Sequence, residues 1–402
     1  MRILLANKFL NPRGGAERAV LDLGAALQAR GHRVAWFGMQ HPQNAVSGAD
    51  VALVRRREYR GSGTQPLRDG AAMLYSFEAR RKFATLLQRS QAQVVHVHNI
   101  YHQLTPSILD AAAAAGVPVV MTVHDYKLVC PRYDLLRHGV PCDACMHEGF
   151  LACLRFRCGG SWAASAWLAA EALLHQARRS YAVVQRFLVP SRFMQAMLQR
   201  GGIEAERLQY LPNFAPAVSA GPETPVPQRF VYAGRLSPEK GLRTLVRAAS
   251  RLPAGSLVLC GSGPLEPELR ELAAAAPPGR VVFCGQLSAA ALWQEMRAAS
   301  FVVLPSECLE NAPFAVLEAM ALGRAVLASQ VGGVPELVRP GETGELLPPG
   351  DVEAWRRGLE VAIAQPERWR QLGLGARRAV EHRHGLTQHV EAVERIYTEV
   401  CG

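Results

Sequence analysis

The stretch from Ser300 to Ser329 reads SFVVLPSECLENAPFAVLEAMALGRAVLAS and holds, in order, an apolar strand-like run, a polar loop, an apolar helical run and a second strand-like run. Strand, helix, strand at this spacing predicts a parallel sheet. Within the helical part, Phe314, Ala315, Val316, Leu317, Ala319, Met320, Ala321 and Leu322 leave no polar stripe, which predicts a helix without a water-facing side. Glu318 nevertheless sits in its middle, and glutamate is rarely buried without a partner. Pro313 suits the first helical position, where its missing N–H costs nothing, with Asn311 or Ala312 before it as the cap. Glu310 then lies just outside the helix N-terminus. Backbone N–H groups and the helix dipole favour an anion there, beside two carboxylates spaced E-x7-E. The combination fits a ligand carrying both phosphate and hydroxyl groups; the competing reading is a Glu318 paired inside the fold with a buried Arg or Lys.

The same alternation extends in both directions. RILLAN, a helical AERAVLDLGAALQAR and HRVAWFGM open the chain, and QVVHVHNI, PVVMTVHD and QRFLVPS follow. After the Pro-rich segment LPNFAPAVSAGPETPVPQ the pattern restarts with RFVYAGR, GSLVLCG, RVVFCG, SFVVLPS and AVLASQ. This predicts an α/β protein of two doubly wound, Rossmann-like domains: residues 1–212 and 213–384, with a linker near 213–228. The last helical pattern, TQHVEAVERIYTEV within 385–402, is a candidate to return to the first domain. Ligands of such sheets bind beyond the carboxyl ends of the strands, so two facing domains would share one cleft.

A chain of 402 residues with 49% hydrophobic and 20% charged residues has the composition of a soluble globular protein. No apolar run approaches the roughly 20 residues that span a bilayer. MRILLANKFLNPRGG reads as a first strand rather than a signal peptide, because its apolar core ends at Asn7-Lys8. Nine cysteines in that context predict thiols or metal ligands in a reducing, cytoplasmic compartment. Charge is uneven: residues 1–200 hold 25 Lys and Arg against 12 Asp and Glu, the remainder 20 against 22. The first half therefore suits a negative partner, either a phosphorylated substrate or an anionic membrane surface at the inner face. The basic residues, among them RRREYR at Arg55–Arg60 and EARRKFATLLQR at Glu78–Arg89, lack aromatic interleaving and any nucleic-acid motif, so nucleic acid is not expected as a partner.

The strand ends of the second half carry GRLSPEKG, GSGP, GQLS and SECLENAPFAVLE. Arg235 and Lys240 place two cations at an edge where helix N-termini favour anions, which suits a diphosphate. Added to GGAE at Gly14–Glu17, HVHN at His96–Asn99, TVHD at Thr122–Asp125, VPS at Val189–Ser191, LPN at Leu211–Asn213 and GGVPELV, this ordered set resembles the retaining glycosyltransferases of family 4, also called group 1, which have the GT-B fold. The resemblance covers nearly the whole chain. It implies sugar transfer from a nucleotide diphosphate sugar, with a UDP-, GDP- or dTDP-linked donor, to a glycan or lipid-linked acceptor, as in bacterial surface polysaccharide synthesis. By the same resemblance Glu318 would take the ribose hydroxyls and Glu310 the sugar hydroxyls, while Arg235 and Lys240 would grip the diphosphate. Leu287, Asn311, Ala312 and Phe314 would complete the donor site, and Gly15 would admit the phosphate or acceptor close to the backbone. His124 would sit against the donor sugar, so that His124, Arg235, Lys240 and Glu310 form the catalytic set; Gly14, Gly15, His98 and Asp125 would face the acceptor. The spaced pair His96 and His98 is assigned no metal. No Asp-x-Asp stands where a catalytic metal would be held, and the resemblance requires no cofactor for catalysis. A sugar-nucleotide epimerase, or a binding protein without turnover, is the alternative on the same fold.

Cys130, Cys142, Cys145, Cys153 and Cys158 fall within 29 residues directly after TVHD. The spacing of Cys142, Cys145, Cys153 and Cys158 fits a structural zinc site, although the second half is x4; a loop of reduced cysteines over the acceptor mouth fits equally.

Overall fold

The computed structural model describes residues 1–57, 65–216, 218 and 225–402, and of 65–69 the backbone alone. Glu58, Tyr59 and Arg60 of the basic run, and 217 and 219–224 of the linker segment, lie outside the described residues. The chain divides into two compact units. Unit 1 comprises Met1–Asp134, Asp143–Leu211 and Thr387–Gly402, and unit 2 comprises Leu135–Cys142 and Pro212–Leu386.

Unit 1 holds β1 (Arg2–Ala6), β2 (Arg33–Met39), β3 (Val51–Val54), β4 (Val94–Val97) and β5 (Val119–Thr122). A short antiparallel hairpin of β6 (Leu136–Arg137) and β7 (Val140–Pro141) falls in the 135–142 segment, and β8 (Val184–Val189) and β9 (Leu208–Tyr210) complete the sheet of unit 1. The order is β3-β2-β1-β4-β5-β8-β9 with every pair parallel. The central β4, Val-Val-His-Val, is buried throughout, as expected of a parallel strand covered on both faces. The chain winds outward from β1 to β3 and then crosses to β4, so the switch point of the sheet lies between β1 and β4. There Asn7 Oδ1 accepts from the Asn99 N–H at 3.0 Å, and the Lys8 N–H donates to the Asn99 carbonyl at 2.8 Å.

The helix Leu386–Cys401 buries Val390, Val393, Ile396 and Tyr397. Its Glu394 accepts from Arg30 Nε and Nη2 at 2.8 Å each, and its Tyr397 hydroxyl lies 2.6 Å from His96 Nδ1. Behind β5, Lys127 and Glu171 form a buried ion pair at 2.7 Å, with the Lys127 ammonium also donating to the Pro131 carbonyl at 2.7 Å. Burial alone would raise the Glu171 pKa, but His102 and Lys127 outweigh it and hold the carboxyl down at about 2. The pair joins the base of the cysteine-bearing segment to the helix Trp162–Ala177.

Unit 2 holds β10 (Arg229–Ala233), β11 (Ser256–Cys260), β12 (Val281–Gly285), β13 (Phe301–Leu304), β14 (Val326–Ser329) and β15 (Gly344–Leu347), in the order β12-β11-β10-β13-β14-β15 and all parallel. One face packs Phe230 on Phe301 with ring centroids 5.3 Å apart and Phe301 on Trp369 at 4.7 Å. The opposite face carries the helix Phe314–Ala321, whose residues from Val316 onward are buried. The switch point of this sheet lies between β10 and β13.

Candidate active site

The loops that leave β10 and β13 are joined backbone to backbone. The N–H groups of Glu307 and Cys308 donate to the Glu239 carbonyl at 3.0 and 3.2 Å. Gly241 makes the approach possible: its φ is +67°, and a Cβ there would stand 1.8 Å from the Pro305 carbonyl oxygen. On the other side the loop after β14 closes in, with the Gly333 N–H donating to the Glu310 carbonyl at 2.8 Å. A Cβ on Gly332 would fall 2.0 Å from that same oxygen. Gly241→Ala is expected to cost more than about 1 kcal/mol of stability, because the left-handed backbone and the carbonyl both oppose a side chain. Thermal unfolding reads the loss; a wild-type midpoint would mean that the two loops can separate freely.

This frame presents an ion pair. Lys240, from the short turn Pro238–Lys240, donates to Glu310 Oε1 at 2.7 Å, and the Ser306 hydroxyl donates to the same oxygen at 2.6 Å. Burial by itself would lower the Lys240 pKa, but Glu310, assisted by Cys308 and Tyr232, outweighs it and raises the ammonium above its ordinary 10.5, so Lys240 stays charged at neutral pH. Arg235 is far more open, with 61% of its side chain exposed, and pairs with Glu239 at 2.7 Å. Glu239 is fixed in turn by the Ser237 hydroxyl at 2.6 Å.

The helix Phe314–Ala321 starts beside this pair. Pro313 is its N-cap, with ψ 122°, rather than its first helical residue as the sequence suggested; the extended ψ places Pro313 just outside the first turn, and no side chain caps the end. Glu318 is 5% exposed within the helix. Asn311 and Ala312 are buried, and the Ala312 carbonyl accepts from Asn213 Nδ2 at 3.1 Å. Leu287 follows β12 and is partly buried against the core, as is Phe314. Unit 2 thus carries Arg235, Lys240, Leu287, Glu310, Asn311, Ala312, Phe314 and Glu318. Nothing in the sequence singles out Ser306, Ser237 and Glu239, because their contacts depend on loop geometry that no local pattern encodes.

The remaining candidates lie in unit 1. Gly14 is the uncapped N-cap of the helix Gly15–Ala29; its φ of −156° is ordinary extended backbone. His98 Nδ1 lies 3.1 Å from His124 Nε2. Burial, then repulsion from His389, lowers the His124 pKa to about 4, so the ring is neutral at pH 7. Asp125 Oδ1 accepts from the Lys127 N–H at 3.0 Å, and burial raises its pKa despite the nearby cations.

The zinc expectation is not met. Among the described residues no three His, Cys, Asp or Glu side chains are grouped to hold a metal ion, and no cysteine is in a disulfide. Cys153, on the short helix Leu151–Arg155, is fully buried and hydrogen-bonded to Cys158. Burial first, then Cys158, pushes its thiol up to about 12. Cys145 lies on a separate helix, Ala144–Glu148, and the Cys142 N–H donates to the Leu135 carbonyl in the β6–β7 hairpin.

Two doubly wound parallel sheets, one bearing a charged pair at its switch point, define a GT-B type protein. The chain belongs to the glycosyltransferases of group 1: residues 13–217 match Glycosyltransferase Family 4 and residues 222–379 match Glycosyl transferases group 1. It is similar to the sulfoquinovosyl transferase SQD2 of Arabidopsis thaliana, 33% identical over 40% of this chain and 31% of the relative. It is also similar to the alpha-maltose-1-phosphate synthase of Mycolicibacterium smegmatis, 32% identical over 42% of this chain and 47% of the relative. These matches therefore span less than half the length of either relative. In fold it resembles the sucrose-phosphate synthase of Thermosynechococcus elongatus, with a TM-score of 0.72 and 21% identity over 99% of this chain and 98% of that one. It likewise resembles Anabaena HepE in complex with UDP-glucose, with a TM-score of 0.67 and 18% identity over 99% of each chain. No helix among the described residues is long and apolar enough to cross a membrane.

Proposed function

We propose that the protein is a retaining glycosyltransferase that moves a sugar, hexose-like, from a nucleotide diphosphate sugar to a hydroxyl of a glycan or lipid-linked acceptor in bacterial surface polysaccharide synthesis. The observation that carries this reading is the Lys240–Glu310 pair at the β10/β13 switch point, beside an uncapped helix with a buried Glu318. In this reading unit 2 holds the donor. Arg235, Lys240 and the helix N-terminus take the diphosphate; Glu318 takes the ribose hydroxyls and Glu310 those of the sugar. Leu287, Asn311, Ala312 and Phe314 line the rest. Lys240 is then shared between Glu310 and phosphate, while Ser306 keeps Glu310 in place.

Unit 1 supplies the acceptor side through Gly14, Gly15, His98 and Asp125, with His124 against the donor sugar. The bond from the anomeric carbon to the phosphate oxygen breaks, and the bond to the acceptor oxygen forms on the same face. The acceptor proton passes to the departing phosphate. Stabilising that phosphate is the main catalytic work, and fixed cations with helix N–H groups do it without reorganisation. The UDP-glucose complex of a protein with the same fold supports a nucleotide-sugar donor, UDP-linked in the first instance. The test is nucleotide release from UDP-, GDP- and dTDP-sugars with and without acceptor glycans. Acceptor-dependent release from one donor is expected; conversion of the donor sugar without an acceptor would favour an epimerase, and binding without turnover a non-catalytic protein.

Peripheral attachment to an anionic membrane at the cytoplasmic face belongs to the same proposal. The helix Phe77–Ser90 opens with Phe77, 75% exposed, and exposes Arg80, Arg81 and Arg89. Such a side chain set suits a headgroup surface. Lys82 does not join it: its ammonium donates to Glu78 at 2.9 Å and to the Leu53 carbonyl at 2.9 Å. Arg57 is likewise engaged, with the Ala72 carbonyl and Ser76. Each basic residue near such a surface contributes about 1 kcal/mol, screened by salt. Cosedimentation with anionic liposomes is expected to fall when Arg80, Arg81 and Arg89 become Gln, and to be unaffected by Lys82→Gln. Binding indifferent to lipid charge would leave a soluble acceptor.

A further inference from the structure

The histidines of unit 1 form a connected column. His96, on β4, is fully buried, and both of its ring nitrogens are engaged: Nδ1 with the Tyr397 hydroxyl at 2.6 Å and Nε2 with Thr122 Oγ1 at 2.7 Å. The His98 ring stacks on His96 with centroids 4.3 Å apart and on His124 at 5.4 Å. His98 is 3% exposed, and its Nε2 is buried without a partner. Its Nδ1 meets His124 Nε2 at 3.1 Å. His124 is half-buried, and it meets His98 through Nε2, which leaves Nδ1 as the ring nitrogen not used in that contact.

Two neutral rings share one hydrogen between His98 Nδ1 and His124 Nε2, and it can belong to either. If His124 donates, His98 must carry its own proton on Nε2, and a buried N–H has no acceptor. If His98 donates, its Nε2 is a bare lone pair. Orphaned buried N–H groups are rarer than unmet acceptors, so the second arrangement costs less. We propose that His98 is a positioning residue: it donates Nδ1–H to His124 Nε2, locks His124 as the Nδ1–H tautomer, and so makes His124 a hydrogen-bond donor to the transferred sugar, with His96 and Tyr397 holding His98 in register. The part concerning the sugar rests on the transferase reading above. Burial lowers the His96 pKa to about 3 and the His124 pKa to about 4, with nearby histidines adding repulsion, so at pH 7 the column is uncharged and hydrogen-bond geometry places the protons.

The full chain labelled with ¹⁵N-histidine tests this by NMR at pH 7, the His124 signals being assigned by their loss in His124→Gln. Wild-type His124 is expected to carry its proton on Nδ1. His98→Phe, which has no donor, should move it toward Nε2–H. His98→Asn, whose amide N–H stands near the imidazole Nδ1–H, should keep the wild-type pattern. With a nucleotide-sugar donor, His98→Phe should lower kcat/KM by about tenfold, the value of one lost hydrogen bond, and His98→Asn should recover most of it. An Nε2–H tautomer in the wild type, or a tautomer unmoved by His98→Phe, overturns the lock. Because the wild-type spectrum alone decides the first point, a variant that fails to fold leaves the proposal falsifiable. A wild type with the Nδ1–H pattern that turns over no nucleotide sugar would instead overturn the transferase reading.

Discussion

Lys240→Ala is expected to lower kcat by about 10²–10³-fold while weakening donor binding much less. Negative charge on the leaving diphosphate grows as the glycosidic bond breaks, so a cation already in place acts more strongly on the transition state than on bound donor. Lys240 is in place before any donor arrives: Glu310 holds its ammonium at 2.7 Å, and Gly241 fixes the turn that carries it. The variant also leaves Glu310 without its counter-ion, next to where the diphosphate would lie. Glu310→Gln in the Lys240→Ala background should therefore recover part of the loss, and the two substitutions should be strongly non-additive. Arg235→Ala should cost less, since Arg235 is 61% exposed and water screens it. The measurements are kcat and donor Kd for each protein. Equal losses in both would make Lys240 a ground-state anchor only.

Glu318→Gln should weaken donor affinity roughly 10–100-fold with little change in fold. The amide keeps the shape of the side chain, but a carboxylate accepting ribose hydroxyls makes charge-assisted bonds of about 1.5–3 kcal/mol each. Glu318 is 5% exposed in a helix that is otherwise apolar. Donor titration by calorimetry, paired with thermal unfolding, separates the two readings. A variant that unfolds at higher temperature and binds donor as before would place the role of Glu318 inside the fold.

The alternation of strand and helix was legible because strands covered on both faces read as unbroken apolar runs, as in VVHV at Val94–Val97 and FVVL at Phe301–Leu304. Short edge strands such as β9, Leu-Gln-Tyr, and β15, Gly-Glu-Leu-Leu, have no such run and were not read. The GT-B class followed from the order of the motifs. Within the site, the closeness of Lys240 and Glu310 depends on two loops 70 residues apart meeting at Gly241, which no local pattern encodes. Charge was the least legible property. Lys82 and Arg57 count in the basic excess of the first half, yet both are engaged with neighbouring protein groups. Cysteine spacing misled for a related reason: short gaps resemble a zinc motif, but the chain turns Cys153 inward while placing Cys145 on another helix.

The segment Thr387–Gly402 belongs to unit 1, although the ribosome makes it only after residues 212–386. Unit 1 therefore stands unfinished during synthesis, with the faces that receive Val390, Val393, Ile396 and Tyr397 uncovered. The strands of its sheet are all made by Tyr210, so what unit 1 awaits is this last helix. Covering of unit 1 by this helix is thereby tied to synthesis of residues 212–386. A chain halted before Thr387 would lack the hydroxyl that meets His96, leaving that buried imidazole short of one partner.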